Sequence, residues 1–154
     1  MGSQKIEKLP KKARVMLLGI ALSALGNGLV LPYTFIYFHN IRGFPIAVAG
    51  LIASYGAFSS LAISPLVGNL IDKWGPKPVL ITSLLVSSVG YCSLSLVKTI
   101  PQAFLVSTVC AMGQSAMWPS QSAISTELTP EHMRERIYGA QFAMLNLGIG
   151  IGGL

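Results

Sequence analysis

Charge is what this chain has least of. Only 10% of its 154 residues are Asp, Glu, Lys or Arg, where a soluble domain carries about 25%. So little polar surface cannot coat a water-soluble globule, and the mean hydropathy of +0.63 agrees. Cysteine is scarce: Cys92 and Cys110 both sit inside apolar runs and offer neither a disulfide framework nor a metal site. The two histidines, His39 and His132, fall at opposite ends of the predicted spans and share no metal. All five acids (Glu7, Asp72, Glu127, Glu131 and Glu135) lie outside the apolar runs. No nucleophile–base pair is therefore set up within them. The Gly-x-Gly patterns at Gly26 and Gly148 lie inside apolar helices, not after a strand, and are not nucleotide loops. The sequence reads as a non-enzyme with no cofactor and no metal.

What the chain has is long apolar runs. Residues 15–41, 43–71, 78–97, 99–126 and 137–154 are free of charge. Each approaches or exceeds the ~18–20 residues that cross the hydrocarbon of a bilayer. A lipid-embedded backbone must satisfy its own hydrogen bonds, so these are helices. Their continuous, non-alternating character excludes a barrel. The expected fold is an all-α membrane protein, a multi-pass transmembrane helix bundle of four helices plus part of a fifth.

A net charge of +6 suggests nucleic acid at first sight, but the bases are ordered. Nine of the eleven flank the spans on one side: Lys5, Lys8, Lys11, Lys12, Arg14, Lys73, Lys77, Arg134 and Arg136. Only Arg42 and Lys98 fall on the other. Positive residues stay inside, which puts the N-terminus in the cytoplasm of a plasma-membrane protein. The expected partner is the bilayer, with no nucleic acid. Residues 1–14 read as a basic cytoplasmic tail near anionic lipid, and 15–154 as an incomplete transmembrane bundle. The first run stays apolar through Tyr37, too far for a cleaved signal peptide.

Helix 1 is expected over about 15–38, interrupted by Pro32, and helix 2 from Pro45 to Ile71. Pro78 and Pro101 open helices 3 and 4, and Thr129-Pro130-Glu131 caps the segment leading to helix 5. Short loops predict that consecutive helices are antiparallel neighbours. No basic or aromatic anchor follows the last glycines, so a truncated product or a fragment is expected.

Polar residues form stripes. At roughly 100° per residue, Ser107, Gln114, Trp118, Gln121 and Ser125 share one face of helix 4. Such a face avoids lipid and meets either another helix or a wet cavity. Helix 1 carries Asn27, Tyr33, Thr34 and Tyr37 on a looser face, with Tyr37 equally suited to an interfacial belt. These residues, with Gln114, Trp118 and Gln121, are the candidates to line a solute cavity. On helix 2, Gly56, Ser60, Ser64 and Gly68 recur every fourth residue, a small-residue stripe suited to close helix packing. Asp72 follows at the helix C-terminus, where the dipole disfavours it by ~0.3–1 kcal/mol, so it should seek a cation or a helix N-terminus.

The loop Gly68-Asn69-Leu70-Ile71-Asp72-Lys73-Trp74-Gly75-Pro76-Lys77 completes the picture. It has a glycine, an acid four residues on, a base, a glycine and a base, between the second and third runs. It resembles the signature loop between helices 2 and 3 of major facilitator superfamily transporters. The resemblance implies that helices 1 and 4 line a central cavity. It implies that Gly68, Asp72, Lys73, Gly75 and Lys77 belong to a cytoplasmic gate, closing against C-terminal helices that lie beyond this chain. Arg134 and Arg136 would join that charge network. Gly139, Gly148 and Gly152 match the spacing of the glycine-rich helix 5 of drug-exporting branches and are expected to pack helices closely. Gly153 stands where that pattern has proline, and Val109 stands where proton-coupled exporters often carry arginine. The function implied is alternating-access transport of a small-molecule solute, with efflux of a hydrophobic, drug-like compound favoured. The alternatives are a nutrient symporter and a non-transporting sensor or assembly partner on the same fold.

Overall fold

A computed structural model describes residues 9–154; the first eight residues of the basic tail lie outside the described residues. The described chain forms α1 (Lys11–Ile36), α2 (Ile46–Trp74), α3 (Pro76–Leu94), α4 (Ile100–Glu127) and α5 (Arg134–Gly152). A π-helical turn, Tyr37–Ile41, extends α1, and a 3-10 turn, Glu131–Met133, precedes α5.

Helix ends follow local chemistry. α1 starts at Lys11 rather than near residue 15, because Ala13, Leu17 and Ile20 are buried against Ile137 of α5. Burial of that face extends the helix through the bases. Gly75 ends α2 at φ +83, a left-handed conformation that favours glycine, and its N–H bonds Ile71 O at 2.8 Å. Pro76 then opens α3 directly, two residues before Pro78. Ahead of α4, Gln102 Oε1 accepts from the backbone N–H of Lys98 (2.8 Å) and Thr99 (3.2 Å). The expected Thr129 cap is not formed: its buried hydroxyl has no partner, and the 3-10 turn intervenes.

Among the described residues, three helical segments are long and apolar enough to cross a membrane: α1 with its π-turn, α2 and α3. α4 and α5 are less apolar than the sequence reading of five spans implies. The difference is one of placement. α4 carries Ser115, Ser120, Gln121 and Ser125 as buried residues and buries more of its length than any other helix. It sits between α2 and α3, where polar groups are shielded from lipid.

The expectation that consecutive helices pair holds fully only for α3 and α4. α2 packs on α4 and α1 on α5, both in parallel, while α1–α2, α2–α3 and α4–α5 meet only sparsely. A short loop fixes neighbours only at its own end. Over the length of a helix, the partner is chosen by the face that admits close approach. Gly113 fits against the α3 backbone: a Cβ there would lie 2.6 Å from Ser87 N and 2.7 Å from Ser83 O. On the other seam, a Cβ on Gly148 would lie 2.5 Å from Ala24 Cβ and 2.7 Å from Ala21 O. Gly152 faces Leu25, Gly28 and Leu29 in the same way. Gly139, grouped with these glycines by spacing, meets no described helix. It is exposed with nothing near its Cβ position, because nine residues before Gly148 places it half a turn away.

One end of the bundle is closed by Phe38, Phe44, Ala49, Ile52, Val97, Ala103 and Val106, with the Phe38 and Phe44 rings stacked 5.8 Å apart. Beside them Arg42 clamps the end of α3. Its Nε donates to Tyr37 OH (2.7 Å) and its Nη2 to Ser95 O (2.6 Å), while Tyr37 OH donates to Leu94 O (2.9 Å).

Gly148→Leu is expected to destabilise the purified protein by ~1–3 kcal/mol through overpacking. Gly139→Ala should stay within about 0.5 kcal/mol of the parent. Thermal unfolding in detergent measures both, and equal losses would mean that the α1–α5 seam is not as close as described. Arg42→Ala removes hydrogen bonds from a charged group, each worth about 1.5–3 kcal/mol. It should expose the α3–α4 loop to protease at lower temperature than in the parent.

Candidate binding cavity

The α1–α5 pair stands apart from the α2–α4–α3 group, and the gap between them is a cavity of about 360 Å³. That is within the size range of small-molecule sites. Its wall draws Asn27 and Thr34 from α1, Ile52 to Ser60 from α2, and Tyr91 and Leu94 from α3. Ser107, Cys110, Ala111 and Gln114 come from α4, and Ile149 from α5. A second cavity of about 340 Å³ lies between α2 and α4, lined by Leu61, Ser64, Ser115, Trp118 and Pro119. Ala57, Ser60 and Gln114 border both, so Gln114 stands where the two spaces meet. No charged side chain lines either.

One polar patch interrupts the apolar wall. Gln114 Nε2 donates to Asn27 Oδ1 at 2.7 Å and also to the Tyr91 hydroxyl. Tyr91 OH donates to Asn27 Oδ1 at 3.2 Å. Three helices thus meet at three neutral side chains. The patch forms because α3 is held close to α4 at Gly90 and Gly113, which brings Tyr91 within reach of Gln114. Thr34 also lines the cavity, but its hydroxyl bonds Val30 O in its own helix at 2.8 Å and adds little polarity.

The structure divides the sequence candidates. Asn27, Thr34 and Gln114 line the main cavity, and Trp118 the second. Gln121 does not join them. It is buried at the level where α5 crosses, and there Gln141 Nε2 donates to Ser125 Oγ at 2.7 Å. Tyr33 is exposed and lines neither cavity, since the cavity takes the face holding Asn27 and Thr34, roughly 100° away. Tyr37 lies in the Arg42 clamp and not on the cavity. The stripe Gly56, Ser60, Ser64 is open: the first two residues line the main cavity and Ser64 the second, and no described helix is seated on Gly56 or Gly68.

The loop residues form a separate group. Asp72, Lys73 and Lys77 are exposed, and no described cation pairs with Asp72, because no described residue covers the end of α2. Arg134 pairs instead with Glu131 at 3.6 Å on the surface, a contact of little energetic weight. Arg136 is exposed on α5. Among the described residues, no cluster of His, Cys, Asp or Glu could hold a metal.

Sequence reasoning passed over Tyr91, Cys110 and Gln141. Tyr91 lies near the end of an apolar run, where a tyrosine reads as an interfacial residue. The available signal was its position beside Gly90, on the edge of the small face formed by Ser83, Ser87 and Gly90. For Gln141 the signal was a glutamine on the face shared with Ile137, Gly148 and Gly152.

Comparison with known proteins gives a consistent result. The chain is 29% identical over 147 residues to the quinolone resistance protein NorA of Staphylococcus aureus, with 93% of this chain and 38% of the relative aligned. It is 25% identical over 149 residues to YttB of Bacillus subtilis (strain 168), an uncharacterized MFS-type transporter, with 95% of this chain and 38% of the relative aligned. The chain therefore spans about 38% of the length of these curated relatives. Residues 16–154 match the family model throughout, and the chain belongs to the Major Facilitator Superfamily, a family of membrane transporters rather than enzymes.

Proposed function

We propose that the complete protein exports a hydrophobic small solute by alternating access, and that this chain supplies one wall of its pathway. The observation that carries this reading is the cavity wall. It is largely apolar, of small-molecule size, free of charge, and marked by a single neutral polar patch. A sugar site would present more amides and acids. The relative named for quinolone resistance supports a drug-like solute, although at 29% identity it does not identify one.

The architecture supports a rocking movement. The α3–α4 and α1–α5 seams are closed by glycines against backbone, so each pair moves as a unit. The open α2 stripe, ending at Gly68 and Asp72, is the surface on which C-terminal helices would seat and part. In this reading Asp72 finds its partner there. Arg134 and Arg136 flank the same end of the bundle, which the excess of bases assigns to the cytoplasm.

Energy-linked efflux of a hydrophobic dye from cells producing the complete protein tests this. Gln114→Leu should lower efflux about tenfold, the scale set by losing one or two hydrogen bonds. Asp72→Asn should slow turnover while leaving solute affinity within about twofold, as expected for a gate removed from the cavity. Dye movement unaffected by an uncoupler and by both substitutions would leave a non-transporting sensor as the better account.

A further inference from the structure

Resting on the transport reading, we propose that the Asn27–Tyr91–Gln114 patch recognises the solute by a neutral donor–acceptor edge, such as a lactam or primary amide presents, and not by its charge. The argument is an inventory of hydrogens and lone pairs. Both Nε2 hydrogens of Gln114 are used, one on Asn27 Oδ1 and one on the Tyr91 hydroxyl. The Tyr91 hydrogen goes to Asn27 Oδ1, which fills that oxygen. Left over are Asn27 Nδ2, a donor, and Gln114 Oε1, an acceptor. Both belong to side chains that line the cavity, neither is a fully buried atom lacking a partner, and these two are the groups left for the solute.

The conclusion does not depend on which way the amides are turned. Turning one alone would set donor against donor or acceptor against acceptor. Turning both gives an equally closed triad and again leaves one amide donor and one amide acceptor. In either sense the wall offers one donor and one acceptor on adjoining side chains, the complement of a cis amide edge such as a lactam's. Apolar residues such as Ile52, Ala57 and Leu94 line the same cavity, a setting that suits the flat hydrophobic remainder of such a solute. A formal charge gains nothing here, because desolvating it without a partner is costly.

The test compares an uncharged aromatic lactam with its N-methyl analogue, using the complete protein in proteoliposomes. The lactam is expected to show about tenfold higher kcat/KM, since blocking its N–H leaves a site acceptor unpaired. Gln114→Leu, which removes the acceptor Oε1, should bring that ratio near one. If both compounds are moved equally by the unaltered protein, the edge proposal is overturned and the transport reading stands. If neither lactam nor a hydrophobic tracer dye moves, the transport reading fails and this proposal with it. The ratio in the unaltered protein decides the matter even where a substituted protein does not fold.

Discussion

A helix that carries serines and glutamines through hydrocarbon has to keep them out of lipid, and α4 is the helix here with that constraint. Its solution organises the rest of the bundle. Gly113 lets α3 cover one side at backbone distance, and α2 lies along another. α5 crosses lower down, where Gln141 satisfies Ser125. The side left uncovered by protein is the one holding Ser107 and Gln114, and that side is the cavity. One of the two less apolar helices is thus also the most enclosed, and the polar residues that weaken its hydropathy include those that build the site.

The same logic separates what is fixed from what is free to move. Seams closed by glycine against backbone tolerate no sliding without loss of contact. The α2 stripe has the same small residues but opens onto cavities, and it leads to a charged loop with no described partner. Small residues on a membrane helix therefore mark two different things in one chain. On α4 and α5 they mark a closed seam, and on α2 a face kept open.

Much of this was legible from residue order alone. The asymmetry of Lys and Arg and the polar face of α4 pointed to a membrane bundle with a shielded face, and the Gly68–Lys77 loop carried the resemblance that implies a transporter with α1 and α4 at its cavity. What a helical wheel cannot give is which neighbour covers a face at each height. Ser107, Gln114 and Gln121 share a phase, yet the first two line the cavity and the third is buried at the level of α5. Gly139 and Gly148 share a spacing, yet of the two only Gly148 meets another described helix. Tyr91 and Tyr37 are both tyrosines near helix ends, and one joins the polar patch while the other anchors the clamp. Those assignments depend on tertiary register, which no local pattern encodes.

The arrangement sets the inner face of α4 against the cavity and leaves the outer face of α3 for lipid. The two native cysteines sit on these two faces: Cys110 lines the cavity, and Cys92 is exposed on the side of α3 turned away from α4. The direct measurement is labelling of the complete protein in membranes by a charged, water-soluble methanethiosulfonate, using Cys92→Ser and Cys110→Ser to isolate each thiol. Modification of Cys110, slowed by a transported hydrophobic solute, with Cys92 unreactive, is the predicted result. Ready labelling of Cys92 with Cys110 silent would contradict this arrangement of the helices.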